Sequence, residues 1–241
     1  MSKYTIEYFR CGECGFVQTE TPYWLDEAYS DAIVSTDIGL ISRNERFSTA
    51  TDRLLRHVLP DVKTCVDYGG GYGMLTRMMR DRGHDFRHHD PFCQNLFAQG
   101  FQVEEPSTKF DFLTAFEVFE HFSDPHRELA ILDRLASDWL ISTEPLPEPT
   151  PQPNQWWYYV LDGGQHISLW SKRALKVIAE RYDRKLVSYK GLHLLTQSEV
   201  RPAWAKFVMR NYRSKMLNLF RRRESFLDQD FHRAVAATKA A

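Results

Sequence analysis

No stretch of this 241-residue chain is apolar for the ~20 residues that a membrane-spanning helix needs. The opening residues, MSKYTIEYFR, also lack the apolar core of a secretory signal. With neither feature, a cytoplasmic location is expected. An excess of one charge is missing too. Lys and Arg number 31 against 32 Asp and Glu, a formal net charge of -1. That balance argues against a broad polyanion-binding surface, and so against a nucleic-acid partner. Cysteine is scarce. Four residues are too few for a disulfide scaffold. Cys65 in a predicted strand and Cys93 just after another read as free thiols. There is no internal repeat. Disorder of the whole chain is excluded by a hydrophobic share of 43% and an aromatic share of 14%. What remains is one large domain with appendages.

The chain divides into three parts. Residues 1–45 read as an N-terminal appendage holding a CGEC knuckle and then YWLDEAYSDAI. From about residue 46 to 197, helical and strand patterns alternate. FSTATDRLLRHVL reads as a helix capped by Ser48 or Thr49. VKTCVDY is a buried strand, and GGGYG breaks it. A helix over MLTRMMRDRG, a strand over HDFRHHD, a short helix over PFCQNLFAQG and a strand over FQVEE follow. FDFLTAF and WLISTE flank an amphipathic helix, DPHRELAILDRLASD. Five of the eleven prolines fall between 145 and 153, marking a stiff loop. A helix over SKRALKVIAERY, capped by Ser171, precedes two last strands, KLVSYKG and LHLLTQS, with Gly191 at their turn. The alternation predicts an α/β fold: a doubly wound, mostly parallel, seven-stranded sheet. Residues 198–241 read as a helical tail.

Four of the twelve glycines lie in VDYGGGYGML. Asp67, Gly69, Gly71 and Gly73 alternate with one residue between them, and Gly70 adds to the run. Glycine permits positive φ and a close approach of backbone to ligand. The dinucleotide fingerprint G-x-G-x-x-G would put glycine at 74, where Met74 stands, so a nicotinamide oxidoreductase ranks low. An acid beside the loop suits a ligand carrying positive charge rather than a pyrophosphate. Asp90, 19 residues after Gly71 at the end of the next strand, suits two ribose hydroxyls. This constellation resembles the class I S-adenosylmethionine-dependent methyltransferases over roughly residues 46–197. The resemblance implies S-adenosyl-L-methionine as cofactor, Asp67 near its amino group, Gly69, Gly70, Gly71 and Gly73 against it, and Asp90 on the ribose.

TAFEVFEHFSDP resembles the E-V-x-E-H segment of one branch of these enzymes. That implies Phe116 and Glu117 bordering the cofactor, with Glu120 and His121 facing the acceptor. If this stretch is helical, Glu117, Glu120 and His121 share one face. Two carboxylates and an imidazole there suit a divalent metal, which His166 in GGQHISLW would complete. Small-RNA 2′-O-methyltransferases and some ubiquinone-pathway O-methyltransferases share the segment, and the resemblance implies a metal that polarises the acceptor hydroxyl. Without metal, His121 or His166 serves as general base, since imidazole titrates near neutrality.

Trp156, Trp157, Tyr158 and Tyr159 follow the proline loop and suit either acceptor contact or a half-buried strand. Cys11 and Cys14 have the form of a zinc knuckle, yet supply half of the four ligands a structural zinc takes. TDIGLISRN, ending in Arg43 and Asn44, reads either as a segment closing over the cofactor or as a linker. The tail sets Trp204, Phe207, Val208, Met216, Leu219 and Phe220 against Arg210, Arg213 and Arg221 to Arg223. Such a helix docks on its own domain, on a second subunit in a homodimer, or on an anionic surface. The reading is a methyltransferase acting on a small molecule, with a nucleotide sugar or glycan first, at a hydroxyl oxygen. The alternatives are a non-catalytic cofactor- or nucleotide-binding module and a metal-assisted RNA 2′-O-methyltransferase.

Overall fold

The computed structural model describes residues 3–29, 38–103, 109–214, 217 and 223–240. An N-terminal hairpin, β1 (Tyr8–Arg10) and β2 (Val17–Thr19), leads into a short helix, α1 (Leu25–Ala28). The main body follows: α2 (Leu40–His57), β3 (Thr64–Tyr68), α3 (Met74–Asp81), β4 (Asp85–His89), β5 (Phe110–Phe116), α4 (Pro125–Leu135) and β6 (Ala136–Ser142). Next come β7 (Ser168–Leu169), α5 (Lys172–Arg181), β8 (Lys185–Tyr189) and β9 (Leu192–Thr196). α6 (Pro202–Arg210) and α7 (Leu227–Ala240) close the chain. The central sheet runs β4-β3-β5-β6-β9-β8. Its first four strands are parallel, while β9 is antiparallel to both β6 and β8.

The mostly parallel α/β sheet is as the alternation predicts, but it has six strands among the described residues, not seven. FQVEE accounts for the difference. It makes one isolated parallel bridge, Gln102 to His88, and residues 104–108 lie outside the described residues. The helix expected over 91–100 is absent as well. Here side chains occupy the backbone groups that a helix would use. Asp90 accepts from the N–H groups of Phe92 and Cys93, and Asn95 both donates to and accepts from Ala98. α2 begins at Leu40, so Ser48 and Thr49 are interior rather than caps, and each hydroxyl donates to the Glu45 carbonyl. Arg43 and Asn44 therefore belong to a helix, not a linker. Ser171 does cap α5, accepting from the Ala174 N–H.

Alternate residues of each strand feed two cores. Cys65, Phe86, Phe112 and Leu140 face α2, α3 and α6. Val66, Leu113, Ala115, Trp139 and Ile141 face α4 and α5. Burial on both faces is why these strands read as continuous apolar runs. The appendage forms a second sheet, β1-β2-β7, in which Val17 pairs with Leu169 and Gln18 with Ser168. The tail docks on its own domain. Ala205, Val208 and Met209 of α6 are buried. Asp230 of α7 receives Arg80 Nε and Nη2 at 2.8 and 2.9 Å, and Arg77 Nη1 at 2.9 Å. Met216, Leu219, Phe220, Arg221 and Arg222 lie outside the described residues.

Candidate active site

β3 sits between β4 and β5, so the chain leaves β3 toward one neighbour and later returns on the other side. Ligands of open α/β sheets bind beyond the carboxyl ends of the strands at this switch point. The glycine loop follows β3, and the Phe116–His121 segment follows β5. The two stretches singled out in the sequence thus meet there.

Gly69, Gly71 and Gly73 have φ of +67°, +56° and +82°. A Cβ at Gly69, Gly70 or Gly73 would meet protein atoms at 2.5–2.6 Å, whereas one at Gly71 would meet nothing within 4 Å. Gly71 is therefore where the loop opens onto free space. Its N–H donates to Asp90 Oδ2 at 2.8 Å, and its carbonyl lies 2.8 Å from His88 Nε2. Asp90, directly after β4, thus pins the loop. Asp67 is 2% exposed and lies under the loop rather than at its mouth. Its carboxylate accepts from the Thr114 hydroxyl at 2.7 Å and from the Thr76 hydroxyl at 3.4 Å. Burial, with the Asp90 charge adding to it, pushes this carboxyl up to about 7. Phe116 stacks on Phe47 of α2, with centroids 4.3 Å apart.

The E-V-x-E-H segment is not an α-helix. Only Phe119–His121 forms a turn, a 3₁₀ turn, and Glu117 before it has φ +54°. Glu117 consequently does not share a helical face with Glu120. Its N–H and carboxylate both engage the Ser142 hydroxyl at the end of β6. That pair of bonds holds a backbone conformation which non-glycine residues rarely adopt.

Glu120, His121 and His166 do come together. One ligand atom from each lies within 4.8 Å of the others. Glu120 is fully buried; Oε1 accepts from the Tyr158 hydroxyl at 2.7 Å, and Oε2 has no partner. His121 Nδ1 lies 3.0 Å from the Gln165 carbonyl, and His166 Nδ1 lies 2.7 Å from the Tyr158 carbonyl. A carbonyl can only accept, so each Nδ1 carries the proton and each Nε2 keeps a lone pair. Burial, then the Glu117 charge, raises Glu120 to about 8. Burial lowers His121 to about 3, with His166 adding to it, and lowers His166 to about 4. Both imidazoles are thus neutral at neutral pH. Glu120 and the two imidazoles converge here, and Glu120 Oε2 has no hydrogen-bond partner among the described residues. The Glu117 charge also raises Glu144, after burial, so the site is crowded with carboxylates.

The sequence pointed to Glu120, His121 and His166, but not to the residues that orient them. Ser142, Gln165 and Tyr29 carry no motif. Tyr158 stood out only as an aromatic. The WWYY run is not a strand: Trp157–Tyr159 is a 3₁₀ turn that buries Tyr158 and Tyr159 and leaves Trp157 72% exposed. Trp157→Ala should therefore leave the melting temperature within about 2 °C, since exposed positions rarely matter to stability. Loss of stability in that variant would show that the ring packs.

Cys11 and Cys14 lie on the β1–β2 turn, away from this cluster, and Cys11 is exposed. The N–H groups of Cys14 and Glu13 hold the Cys11 thiol below its usual range. Among the described residues no third histidine, cysteine or acid joins the pair within ligand distance.

The methyltransferase domain family matches residues 42–189. No curated protein sequence matches the chain. Among solved structures, the chain is similar to the 1,6-didemethyltoxoflavin-N1-methyltransferase of Burkholderia thailandensis, solved with 1,6-didemethyltoxoflavin and S-adenosylhomocysteine. Identity is 15%, TM-score 0.51, and the match covers 80% of this chain and 96% of that one. TnmH is 21% identical with TM-score 0.46, over 72% of this chain and 60% of its own. An O-methyltransferase family 2 protein from Planctomyces limnophilus, in complex with apigenin, is 17% identical with TM-score 0.48, over 71% and 64%. The chain thus spans less than two thirds of these last two proteins. The shared fold and the match over residues 42–189, well over half of the sequence, place this chain in the methyltransferase domain family.

Proposed function

We propose that this protein is an S-adenosylmethionine-dependent methyltransferase that acts on a hydroxyl of a small molecule. The observation that carries the reading is the pairing of an open glycine cradle at Gly71 with the convergence of Glu120, His121 and His166. A positively charged sulfonium suits the surroundings of Glu117, whose charge raises both Glu120 and Glu144. Gly71 lets the backbone approach the ligand, Asp90 keeps the loop in place and offers remaining lone pairs to ribose hydroxyls, and Phe116 closes one side. Once bound, the cofactor supplies an electrophilic methyl group.

The residues present also fit a divalent cation. Glu120 Oε2 is a buried carboxyl oxygen with no hydrogen-bond partner among the described residues, which a cation would deprotonate, and both Nε2 atoms are unprotonated. Two imidazoles and one carboxylate suit Mn²⁺, Fe²⁺ or Zn²⁺ better than Mg²⁺. Such a cation would be held by Glu120, His121 and His166, and would polarise the acceptor hydroxyl. The chain itself contributes alignment of the acceptor and a dry, acceptor-rich wall that draws the hydroxyl hydrogen. A sugar-like acceptor is supported by the exposed face of Trp157, next to Tyr158 at a centroid distance of 5.1 Å.

Calorimetric titration tests the cofactor. The wild type should bind S-adenosylmethionine and not NAD. Asparagine tolerates positive φ, so Gly71→Asn fills the cradle without much strain. It should weaken binding about tenfold or more, at least about 1.4 kcal/mol, with thermal stability unchanged. Binding of NAD alone, or equal affinity in Gly71→Asn, would overturn the assignment of the loop.

A further inference from the structure

The N-terminal segment lies outside the family match, yet it reaches the cluster from the far side. Thr19 N–H donates to the Ile167 carbonyl at 3.0 Å, and Ile167 N–H donates to the Glu120 carbonyl at 2.9 Å. Trp24, 3% exposed, donates its indole N–H to the Gly164 carbonyl at 2.7 Å. Gln165 Nε2 donates to the Ala28 carbonyl at 2.6 Å. The Tyr29 hydroxyl lies 2.9 Å from His121 Nδ1. Residues 19–29 thus grip the backbone that carries His166 and touch the imidazole of His121.

These contacts fix the ring in one state. The Gln165 carbonyl forces the proton onto His121 Nδ1, and the Tyr29 oxygen accepts a second share of it. The Gln165 side chain, tethered to Ala28, sets where that carbonyl stands. Without either group the ring is free to rotate or to change tautomer, and Nε2 is no longer held as a lone-pair donor.

We propose that the N-terminal segment is the outer shell of the cation site, with Tyr29 and Gln165 as the positioning residues of His121. The inference rests on the cation reading given above. Partners of a ligating histidine typically change metal affinity by about 10–100-fold when removed.

The test uses the full-length, metal-stripped protein and Mn²⁺ as the probe, followed by the electron paramagnetic resonance of free Mn²⁺. The wild type should bind one ion and Glu120→Gln none. Tyr29→Phe and Gln165→Ala should each bind about tenfold more weakly, and more weakly still together. Lys3→Ala, which removes an exposed ion pair with Glu27 on the same segment, should bind as the wild type does. S-adenosylmethionine affinity should stay constant across the set, which a general loss of structure would not allow. Tyr29→Phe keeps the ring and its packing; should it fail to fold, Gln165→Ala reports on the same shell. Wild-type Mn²⁺ affinity in both variants, with Glu120→Gln defective, would overturn the outer-shell role. No Mn²⁺ uptake by the wild type would instead overturn the cation reading, and this inference with it.

Discussion

Replacing His121 by asparagine is expected to lower methyl transfer about 10²–10⁴-fold while leaving S-adenosylmethionine affinity within about twofold. The imidazole does not touch the glycine loop, so cofactor binding has no reason to change. What is lost is one of the two neutral imidazoles proposed to face the reacting hydroxyl. Asparagine retains a group that can donate to the Gln165 carbonyl, but it cannot replace the lone pair at Nε2. His166→Asn should behave alike, because its Nδ1 is pinned by the Tyr158 carbonyl in the same way. The double variant should be little worse than either single one, since residues that act as a unit are not additive. The measurement is S-adenosylhomocysteine formed over a panel of small hydroxylated acceptors, with and without chelator. Chelator that abolishes wild-type turnover, restored by Mn²⁺, places the histidines as ligands. Turnover indifferent to chelator but lost in the variants would make them proton acceptors. Full activity in both variants would remove them from the mechanism.

The second large effect lies in the last turn of α3. Arg80 is buried against Asp230, with both side chains 6% exposed, and it also reaches Asp85 at 2.7 Å and the Phe86 carbonyl at 3.1 Å. Its guanidinium stacks 3.7 Å from the centre of the Phe101 ring. Arg80→Ala leaves the Asp230 carboxylate with only Arg77 in a largely dry setting. Removing one partner of a buried pair typically costs about 3–5 kcal/mol. Chemical denaturation should register a loss of that order, and α7 should become open to proteolysis at a concentration that spares the wild type. Asp230→Asn should cost less, because Arg80 keeps Asp85 and the Phe86 carbonyl as partners. The pH dependence has a definite sign. Arg80 and Arg77 hold Asp230 below its usual carboxylate range, against the opposing effect of burial. A depressed acid contributes stability above its unfolded pKa of about 3.9, and that stability is lost as pH falls through the lower folded value. Acid unfolding below about pH 4 should therefore steepen in the wild type relative to Asp230→Asn. Equal profiles would mean that the pair contributes nothing.

The sheet and the loop could be read from the chain because their signals are local. Strands buried on both faces give unbroken apolar runs, and glycine at alternate positions announces positive φ. Other features are decided by distant partners. The E-V-x-E-H segment looked like one face of a helix because its spacing is i, i+3, i+4. It is instead a kink at Glu117 and a single 3₁₀ turn, and the Ser142 hydroxyl that holds the kink arrives 25 residues later. FQVEE looks like a strand, yet its described residues, 101–103, sit beyond the edge strand β4, where a single bridge forms. Asp90 was legible by position. Its task of holding the Gly71 N–H was not, since the same carboxylate spacing suits a ribose. His166 was legible as a histidine after a glycine turn, but its tautomer depends on a tyrosine carbonyl eight residues before it.

The contacts of residues 24–29 also bear on the order in which the molecule is made. Tyr29 meets a residue 92 positions later, and Trp24 and Ala28 meet residues 140 and 137 positions away. On the ribosome residues 24–29 therefore emerge long before their partners exist. Contacts of such separation close late, after the entropy of the intervening loop has been overcome. The main sheet can collapse around β3, β5 and β6 while the segment waits. A segment made before its partners is thus among the last pieces to be set in place, and a bulky group attached to it would burden the final step of assembly.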